Sequence, residues 1–426
     1  MGSLETQTLG CKVNYADVQA VAERLRAREH RQQAALVGTC CVTAEGEKQS
    51  RKEVRRAARR VGPGGKVFVT GCAALLRPEV FADLADNVFV VTGEPDKVAA
   101  GISALLDEPY GAAETSVELP AVPAAGPKAG HTEAAGSRTR FFLKIQDGCA
   151  GGCSYCVIPQ VRGRPRSIPM AEVLATAAAM VAAGYPELVV SGINAGAWRE
   201  GGLKLADLLD GLARTPGLGR VRLSSIEAAR VTPRLTEMMK RHSIICPHLH
   251  LPLQSGDDGV LASMGRRYDT AGFREAVNRV RLALPGINLT ADVIVGFPAE
   301  DEAAFDNTLD FVEEAGFTKI HVFSYSPRPG TKAAAMGDTV PAEEKKRRSL
   351  VLRRFSDRLE DAHRQRKVGL ASEILLESQV ASGAHAGYSS DYTRFEVQGG
   401  APGEIVRVRG KAVTPAGVVG EVIDDE

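Results

Sequence analysis

Short apolar runs alternate with helix-like stretches between residue 138 and about residue 335. Runs of four to eight apolar residues predict strands, and apolar residues spaced three or four apart predict helices. The predicted strands are Phe141–Ile145, Glu187–Ser191, Val221–Ser224, His248–Leu253, Leu289–Val295 and Lys319–Tyr325. The helical patterns include Ala171–Ala183, Pro233–Arg241, Ala271–Leu284 and Asp301–Ala315. Six such units predict an α/β fold with a parallel sheet, open or closed into a barrel, because a full eight-unit barrel would need more chain.

The pattern changes on both sides of this region. Residues 109–137 are rich in Pro, Ala and Gly and have no sustained apolar period, which predicts a linker after an N-terminal domain at residues 1–108. A basic helix is predicted at Ala342–Lys367, and the central domain is placed at residues 138–363. Short strand-like segments then predict a small β-barrel at residues 364–426. These segments are Glu373–Glu377, Thr393–Val397, Ile405–Val408 and Gly417–Ile423.

The length of 426 residues agrees with two or three domains. The chain has no run of 18 apolar residues and no signal-peptide pattern at its start, so we expect no membrane association and a cytoplasmic location. Net charge is only +1, but Lys and Arg cluster at residues 48–60 and 345–367. Each cluster could contact nucleic-acid phosphates or could be a solvated helix face.

The clearest chemical signal is a group of three cysteines directly after the first predicted strand of the central domain. Cys149, Cys153 and Cys156 have C-x3-C-x2-C spacing, with Gly151 and Gly152 inside the loop. Three thiolates at this spacing can hold three irons of a [4Fe–4S] cluster and leave the fourth iron open, where the amine and carboxylate of S-adenosylmethionine would bind. A zinc site is the alternative, but the sequence offers no fourth ligand nearby.

Four further cysteines lie in the N-terminal domain. Cys11, Cys40 and Cys72 each follow an apolar, strand-like stretch and have a glycine close by, as expected for three strand ends that meet at one metal. The alternative is that they are buried structural thiols. Since Cys41 is adjacent to Cys40, at most one of the two is expected to be a ligand.

Longer motifs surround both cysteine sets. They are TLGCKVN (8–14), TCCVTAEGEKQSRK (39–52), VTGC (69–72), KIQDGCAGGCSYCVIPQVRGRPRS (144–167), SGIN (191–194), RLSSIE (222–227), CPHLHLPLQSGDD (246–258), ADVIVGFP (291–298) and FSYSPRPGT (323–331). In this combination the chain resembles the methylthiotransferases of the radical S-adenosylmethionine (radical SAM) superfamily over essentially its whole length.

The resemblance implies a three-part architecture with two [4Fe–4S] clusters. An N-terminal α/β domain would bind one cluster through Cys11, Cys40 and Cys72. A central partial (β/α)6 radical SAM barrel would bind the catalytic cluster through Cys149, Cys153 and Cys156, followed by a small RNA-binding β-barrel of the TRAM type. Contacts to S-adenosylmethionine are expected from seven residues, although each polar member could instead be a satisfied buried group. They are Tyr155, Gly192, Asn194, Ser225, Glu227, Gln254 and Asp292.

The resemblance also implies a substrate and partners. TLGCKVN, SGIN and CPHLHLPLQSG look most like the type that converts N6-threonylcarbamoyladenosine beside the tRNA anticodon to its 2-methylthio derivative. The alternatives are the types that modify isopentenyladenosine in tRNA or an aspartate of a ribosomal protein. An alternative of another class is a non-catalytic zinc protein that binds RNA. The expected partners are tRNA and a reducing electron donor such as a flavodoxin or ferredoxin.

One RNA-binding patch is predicted in the C-terminal barrel. Arg394, Arg407, Arg409 and Lys411 are interleaved with the aromatic residues Tyr392 and Phe395. Such aromatic side chains can stack on bases, although packing in the core of the barrel is the alternative.

Overall fold

A computed structural model describes residues 4–26, 33–107 and 139–423. The predicted linker at 109–137 lies outside the described residues. None of the helices in the described ranges has the length and apolar character needed to cross a membrane.

The N-terminal part is a parallel four-stranded sheet in the order β1-β2-β3-β4, with apolar clusters on both faces. Its first strand is at the edge of the sheet, which explains how a strand of largely polar sequence is accommodated. The elements are β1 (Leu4–Thr8), α1 (Lys12–Arg26), β2 (Ala34–Thr39), α2 (Ala44–Val61), β3 (Lys66–Gly71), α3 (Cys72–Leu76), α4 (Pro78–Ala82), β4 (Val88–Val90) and α5 (Pro95–Asp107).

The central part contains six parallel strands with helices between them. Its elements are β5 (Arg140–Asp147), α6 (Ile158–Arg162), β6 (Arg166–Ser167), α7 (Met170–Ala182), β7 (Glu187–Gly192), β8 (Arg199–Glu200), β9 (Leu203–Lys204), α8 (Leu205–Ala213), β10 (Arg220–Leu223), α9 (Pro233–Arg241), β11 (His248–His250), α10 (Asp258–Ser263), α11 (Thr270–Ala283), β12 (Asn288–Val295), α12 (Glu302–Ala315), β13 (Lys319–Ser324), α13 (Lys332–Ala335) and α14 (Ala342–Gln365).

The six main strands lie side by side in the order β5, β7, β10, β11, β12, β13. Single bridges from Val221 to Ile245 and from Ser225 to His250 join the two halves of this arrangement. One large apolar cluster lies between the strands and the surrounding helices. This arrangement confirms the predicted α/β fold class with a partial (β/α)6 barrel.

Strand β11 is shorter than the predicted strand His248–Leu253. The chain still runs beside β12, because the amides of Leu251 and Gln254 donate to Thr290 and Asp292. Pro252 has no amide hydrogen to donate, which interrupts the ladder between these two bonds.

The C-terminal part is a closed five-stranded barrel. Its strands are β14 (Ala371–Gln379), β15 (His385–Ser389), β16 (Arg394–Val397), β17 (Ile405–Thr414) and β18 (Gly417–Val422). Strand β15, of sequence HAGYS, has no apolar run and is missing from the predicted set. Its Gly387 permits close pairing, because a Cβ there would lie 2.2 Å from the carbonyl oxygen of Leu375.

The predicted stacking role of two barrel aromatics is wrong. Phe395 is fully buried in the barrel core, and Tyr392 turns towards the central sheet, where its ring lies 4.6 Å from the guanidinium of Arg222. Lys411 is paired with Glu421, and Arg394 with Glu396. Packing in the barrel core therefore accounts for Phe395, whereas Tyr392 packs between the barrel and the central sheet.

Many charges of the basic helix α14 are neutralised within the protein. Arg347 pairs with Glu302, Arg348 with Glu300, and Arg364 with Glu360. The helix therefore has a partly structural role, in which it joins the central sheet to the barrel. In contrast, α2 presents exposed basic side chains, which are Lys52, Arg55 and Arg59.

A fully buried ion pair lies where the C-terminal barrel meets the central sheet. Arg222 on β10 forms two bonds to Glu187 on β7, at 2.7 and 3.1 Å, and both side chains are fully buried. The same guanidinium donates to the backbone oxygens of Ser389 and Ser390 in the barrel. Arg222 therefore satisfies a buried carboxylate and two carbonyl groups at once.

Replacement of Arg222 by Met should destabilise the protein by about 3–5 kcal/mol, because it removes both hydrogen bonds to the buried Glu187 and leaves only Arg220, at 3.9 Å, as a partner. The matched control is Arg214→Met, which removes the exposed Arg214–Asp210 pair and should cost less than about 1 kcal/mol. Thermal unfolding of the two variants tests this prediction. Equal unfolding temperatures for both variants would show that the buried pair is dispensable.

Candidate functional site

The loop after β5 holds Cys149, Cys153 and Cys156 in a tight turn. Gly148 is in the left-handed region at φ 71°, and a Cβ there would lie 2.1 Å from the carbonyl oxygen of Arg164. A Cβ on Gly151 would lie 3.2 Å from the Cys149 sulfur and 3.6 Å from the Cys153 sulfur. The glycines therefore keep the space beside these sulfurs open, as a bound cluster requires.

Neighbouring elements hold this loop from behind. The Ser154 amide donates to the carbonyl oxygen of Met264, its hydroxyl donates to Ser263, and its own carbonyl accepts from Ala333. Arg266 directs its Nη1 at the Cys153 sulfur, 3.2 Å away, and Glu227 lies 3.6 Å from the same guanidinium. Arg266 thus places a positive charge beside the cysteine loop.

The donor set fits an iron–sulfur cluster. Among the described residues, no three His, Cys, Asp or Glu side chains converge closely enough to hold a single metal ion. A four-iron cube binds each thiolate through a different iron, so its sulfurs need not converge on one point. Burial raises the pKa of the free Cys156 thiol to about 11, and a cationic cluster would offset this by binding the thiolate.

The second set of cysteines lies at the carboxyl ends of three adjacent parallel strands. Cys11 follows β1, Cys40 follows β2, and Cys72 begins α3 directly after β3. A Cβ on Gly10 would lie 2.9 Å from the Cys40 sulfur, so the first loop approaches the second closely. The Asn14 amide donates to the backbone oxygens of Leu9 and Thr39, and this bond pair ties the two loops together.

Cys41 has a different environment from Cys40. It is fully buried in an apolar cluster of the N-terminal domain, whereas Cys40 is partly exposed. The Cys41 thiol acts as a hydrogen-bond donor to Cys72. This bond is the largest cause of the lowered pKa of Cys72; burial opposes it, and the charge of Arg162 adds to it. Cys41 therefore contacts the same sulfur set through Cys72 but lacks the exposure of Cys11 and Cys40.

Arg162 connects the two cysteine sets. It ends α6, the short helix that begins two residues after Cys156, and its Nε donates to the Cys72 sulfur at 3.1 Å. The same guanidinium pairs with Asp17 of α1 at 2.5 Å and with Asp147 of β5 at 3.2 Å. Burial opposes the charge of Arg162, but Cys72 and the two aspartates outweigh it and raise its pKa.

A cavity of about 620 Å³ lies between the N-terminal domain and the central sheet. Val42 and Thr43 line it from one side, and Tyr155, Gln254 and Asp292 line it from the other. Since Thr43 follows Cys40 closely and Tyr155 lies between Cys153 and Cys156, the cavity adjoins both cysteine loops. Gln254 has a left-handed backbone at φ 71°, a strained conformation for a residue with a side chain.

The other predicted contacts form a second group near Cys149. The Asn194 side chain donates to Glu227 at 3.1 Å, and its backbone amide donates to Gln146. The Asn194 side-chain oxygen is buried without a partner, as expected for a group that awaits a ligand. Gly192 ends β7 beside this turn, and Ser225 is exposed after β10. The seven predicted residues thus lie in two groups around one opening.

The sequence analysis did not predict the roles of Arg162 and Arg266. Arg162 lies within the motif KIQDGCAGGCSYCVIPQVRGRPRS, which was recognised only for its cysteines. Arg266 follows α10 in the sequence MGRRY, where nothing local signals contact with a sulfur more than 100 residues away.

Comparison with known proteins places this geometry in a defined class. Residues 143–312 match the model of the radical SAM superfamily, and residues 3–93 match that of the uncharacterized protein family UPF0004. A solved radical S-adenosylmethionine methyltransferase, TsrM from Kitasatospora setae, matches with a TM-score of 0.52 and 14% identity, covering 77% of this chain and 74% of that chain. At this identity the likeness concerns the fold alone. The chain is thus a radical SAM protein, a class that implies a [4Fe–4S] cluster and S-adenosylmethionine.

Named relatives define the family of this chain within the radical SAM class. The threonylcarbamoyladenosine tRNA methylthiotransferase MtaB of Thermotoga maritima is 35% identical over 427 residues, covering 98% of this chain and 96% of the relative. A tRNA-2-methylthio-N(6)-dimethylallyladenosine synthase of Solibacter usitatus is 31% identical, covering 88% of this chain and 85% of that protein. The chain belongs to the radical SAM methylthiotransferase family, and it is an enzyme rather than a non-catalytic zinc protein.

Replacement of Arg162 by Gln should weaken the contact between the two cysteine-bearing parts, because it leaves Asp17 and Asp147 undercompensated. We expect a loss of about 3 kcal/mol in stability and a lower retention of iron at the N-terminal set. The control is Arg164→Gln in the same loop, where the side chain is exposed. Thermal unfolding and iron content after gel filtration test this. If both variants behave like the wild type, Arg162 does not connect the two sets.

Proposed function

We propose that this enzyme binds two [4Fe–4S] clusters and converts N6-threonylcarbamoyladenosine beside the tRNA anticodon to its 2-methylthio derivative. The observation that carries the proposal is that the two cysteine triads lie on two different sheets, in loops whose neighbouring residues Thr43 and Tyr155 line one cavity. A single-cluster radical enzyme would need only Cys149, Cys153 and Cys156. The triad of Cys11, Cys40 and Cys72 provides a second site at the same opening.

The two cysteine sites have different roles in the proposed reaction. When bound, the cluster at Cys149, Cys153 and Cys156 supplies the electron that cleaves S-adenosylmethionine, and the second cluster supplies the sulfur. Tyr155, Gln254 and Asp292 would hold the adenosyl end of the cofactor in the cavity. Gly192, Asn194, Ser225 and Glu227 would orient its amine and ribose. Cofactor and substrate that fill the cavity would exclude water from the radical step.

The proposed substrate is supported by the name of a relative and by a basic surface on α2. The relative from Thermotoga maritima, which matches nearly the whole chain, is named for threonylcarbamoyladenosine tRNA. Exposed Lys52, Arg55 and Arg59 on α2, the helix that begins just after Cys40 and Cys41, offer phosphate contacts along the outside of the N-terminal domain. The target base would enter the cavity from an unpaired loop, where bases can be splayed out. A reducing donor such as a flavodoxin or ferredoxin and a cytoplasmic location complete the proposal.

Iron analysis of matched cysteine variants tests the two-cluster assignment. The wild-type enzyme should contain about eight irons per chain after anaerobic reconstitution. Cys40→Ala should contain about four and still cleave S-adenosylmethionine, because the catalytic triad is intact. Cys41→Ala, the matched control, should keep about eight. If Cys41→Ala loses four irons and Cys40→Ala keeps them, the wrong neighbour has been assigned; four irons in the wild type would contradict the second cluster.

Mass spectrometry of tRNA nucleosides tests the substrate. A strain lacking this gene should accumulate N6-threonylcarbamoyladenosine and lose its 2-methylthio form, and the wild-type gene should restore it. A Cys153→Ala gene should fail to do so, because it cannot hold the catalytic cluster. Loss of 2-methylthio-isopentenyladenosine instead would transfer the proposal to that substrate. Unchanged tRNA would favour a ribosomal-protein substrate.

A further inference from the structure

The inner face of the central sheet contains a narrow polar space below the cavity, which we call the lumen. Side chains alternate between the two faces of a strand, so Thr290 and Asp292 of β12 share a face, as do His321 and Phe323 of β13. Asp292 and Phe323 line the cavity. Thr290 and His321 therefore lie one step deeper, and the lumen continues the cavity into the protein.

Hydrogen bonds organise one wall of the lumen. Asp292 pairs with Nε2 of His250 at 3.0 Å, and Nδ1 of His250 contacts the Thr290 hydroxyl at 2.9 Å. The same hydroxyl contacts Nε2 of His248 at 3.0 Å. Burial lowers the pKa of His248, so this ring is a neutral hydrogen-bonding group at pH 7. Asp292 is thus hydrogen-bonded to His250, and the deeper groups Thr290 and His248 carry no charge.

The floor of the lumen is built by the C-terminal barrel. Tyr392, held in a left-handed backbone conformation at φ 69°, places its ring 5.0 Å from that of His248. Arg140 and Arg222 flank the tyrosine ring at 5.6 and 4.6 Å. Both arginines already have carboxylate partners, because Arg140 pairs with Glu377 at 2.5 Å and Arg222 with Glu187 at 2.7 Å.

Lys12 enters the same space from the N-terminal domain. It is the first residue of α1, which packs on the central sheet through the stacked rings of Tyr15 and Phe142 and through an Asp17–Lys144 pair at 2.7 Å. Its ammonium lies 5.6 Å from the centre of the Tyr392 ring, and that ring lies 5.0 Å from the ring of His248. Within the described part of the chain, no carboxylate lies at ion-pair distance from this ammonium. Lys12 is therefore a partly buried cation to which the described residues offer no ion-pair partner.

We propose that Lys12, with the side chains of His248, His321 and Tyr392 around it, forms a carboxylate-binding site that recognises the threonyl carboxylate of the substrate. The inference rests on the proposed function, in which the N6 substituent carries one carboxylate. Lys12 directly follows Cys11, so a substituent bound at its ammonium belongs to a base held beside the N-terminal cysteines. An isopentenyl substituent has no charge and would leave the partly buried cation unpaired, which is unfavourable.

Binding of three RNA hairpins to the reconstituted enzyme tests the site. The hairpins carry N6-threonylcarbamoyladenosine, its carboxamide analogue, in which an amide replaces the carboxylate at nearly the same size, or unmodified adenosine. The wild-type enzyme should bind the carboxylate hairpin about tenfold or more tightly than the carboxamide hairpin. Lys12→Met should remove this preference without weakening the carboxamide complex by more than about twofold. Lys12→Arg, which keeps the charge, should retain part of the preference.

Lys240→Met, at an exposed position at the end of α9, is the matched control and should behave like the wild type. Iron content is measured for every variant. If Lys12→Met loses iron, the affinity of the wild-type enzyme for the carboxylate hairpin relative to the carboxamide hairpin still tests the site. Equal affinity of the wild type for the two hairpins, or a preference that persists in iron-replete Lys12→Met, would overturn the site.

The binding experiment distinguishes a failure of this inference from a failure of the proposed function. An enzyme that methylthiolates the carboxylate hairpin but does not distinguish it from the carboxamide hairpin contradicts only the role of Lys12. An enzyme that binds the hairpins but converts no threonylcarbamoyladenosine contradicts the proposed substrate itself, and the inference fails with it.

Discussion

The contact of Arg162 with Cys72, Asp17 and Asp147 is the interaction on which the arrangement of the site depends. One guanidinium joins a strand end of the N-terminal sheet, helix α1 and the first strand of the central sheet. Because Arg162 ends the helix that begins two residues after Cys156, the two cysteine sets cannot move apart without breaking these bonds. Val157 and Val161 of the same segment pack in an apolar cluster of the N-terminal domain, so burial reinforces the ion pairs.

The same docking places α1 over the inner face of the sheet and carries Lys12 into the lumen. The barrel at the other end of the chain closes the floor through Tyr392 and the buried Arg222–Glu187 pair. All three parts of the chain therefore contribute to one enclosed space. Charged groups in that space have partners within the protein wherever the described residues provide them. Lys12 is the exception, and this is the basis of the proposed ligand site.

Local sequence predicted the strands of the central sheet and the position of both cysteine sets, because strand periodicity and cysteine spacing are local properties. It did not predict the partners of long side chains. Arg162, Arg266 and Lys12 act across 90 residues or more, where only the folded chain decides which groups meet. The basic helix α14 illustrates the same limit, since its Arg348 is committed to Glu300 on another element. Strand β15 was missed for a different reason: its pairing needs a glycine rather than an apolar run.

The central claim is that two four-iron clusters face each other across one cavity. Helix α6 has five residues and is about 7.5 Å long, so clusters joined through it and Arg162 would be close enough for their unpaired spins to interact. Electron paramagnetic resonance of the fully reduced enzyme measures this interaction directly. The account predicts a spectrum broadened beyond the sum of the Cys72→Ala and Cys153→Ala spectra, each from a single-cluster enzyme. A wild-type spectrum equal to that sum would contradict it.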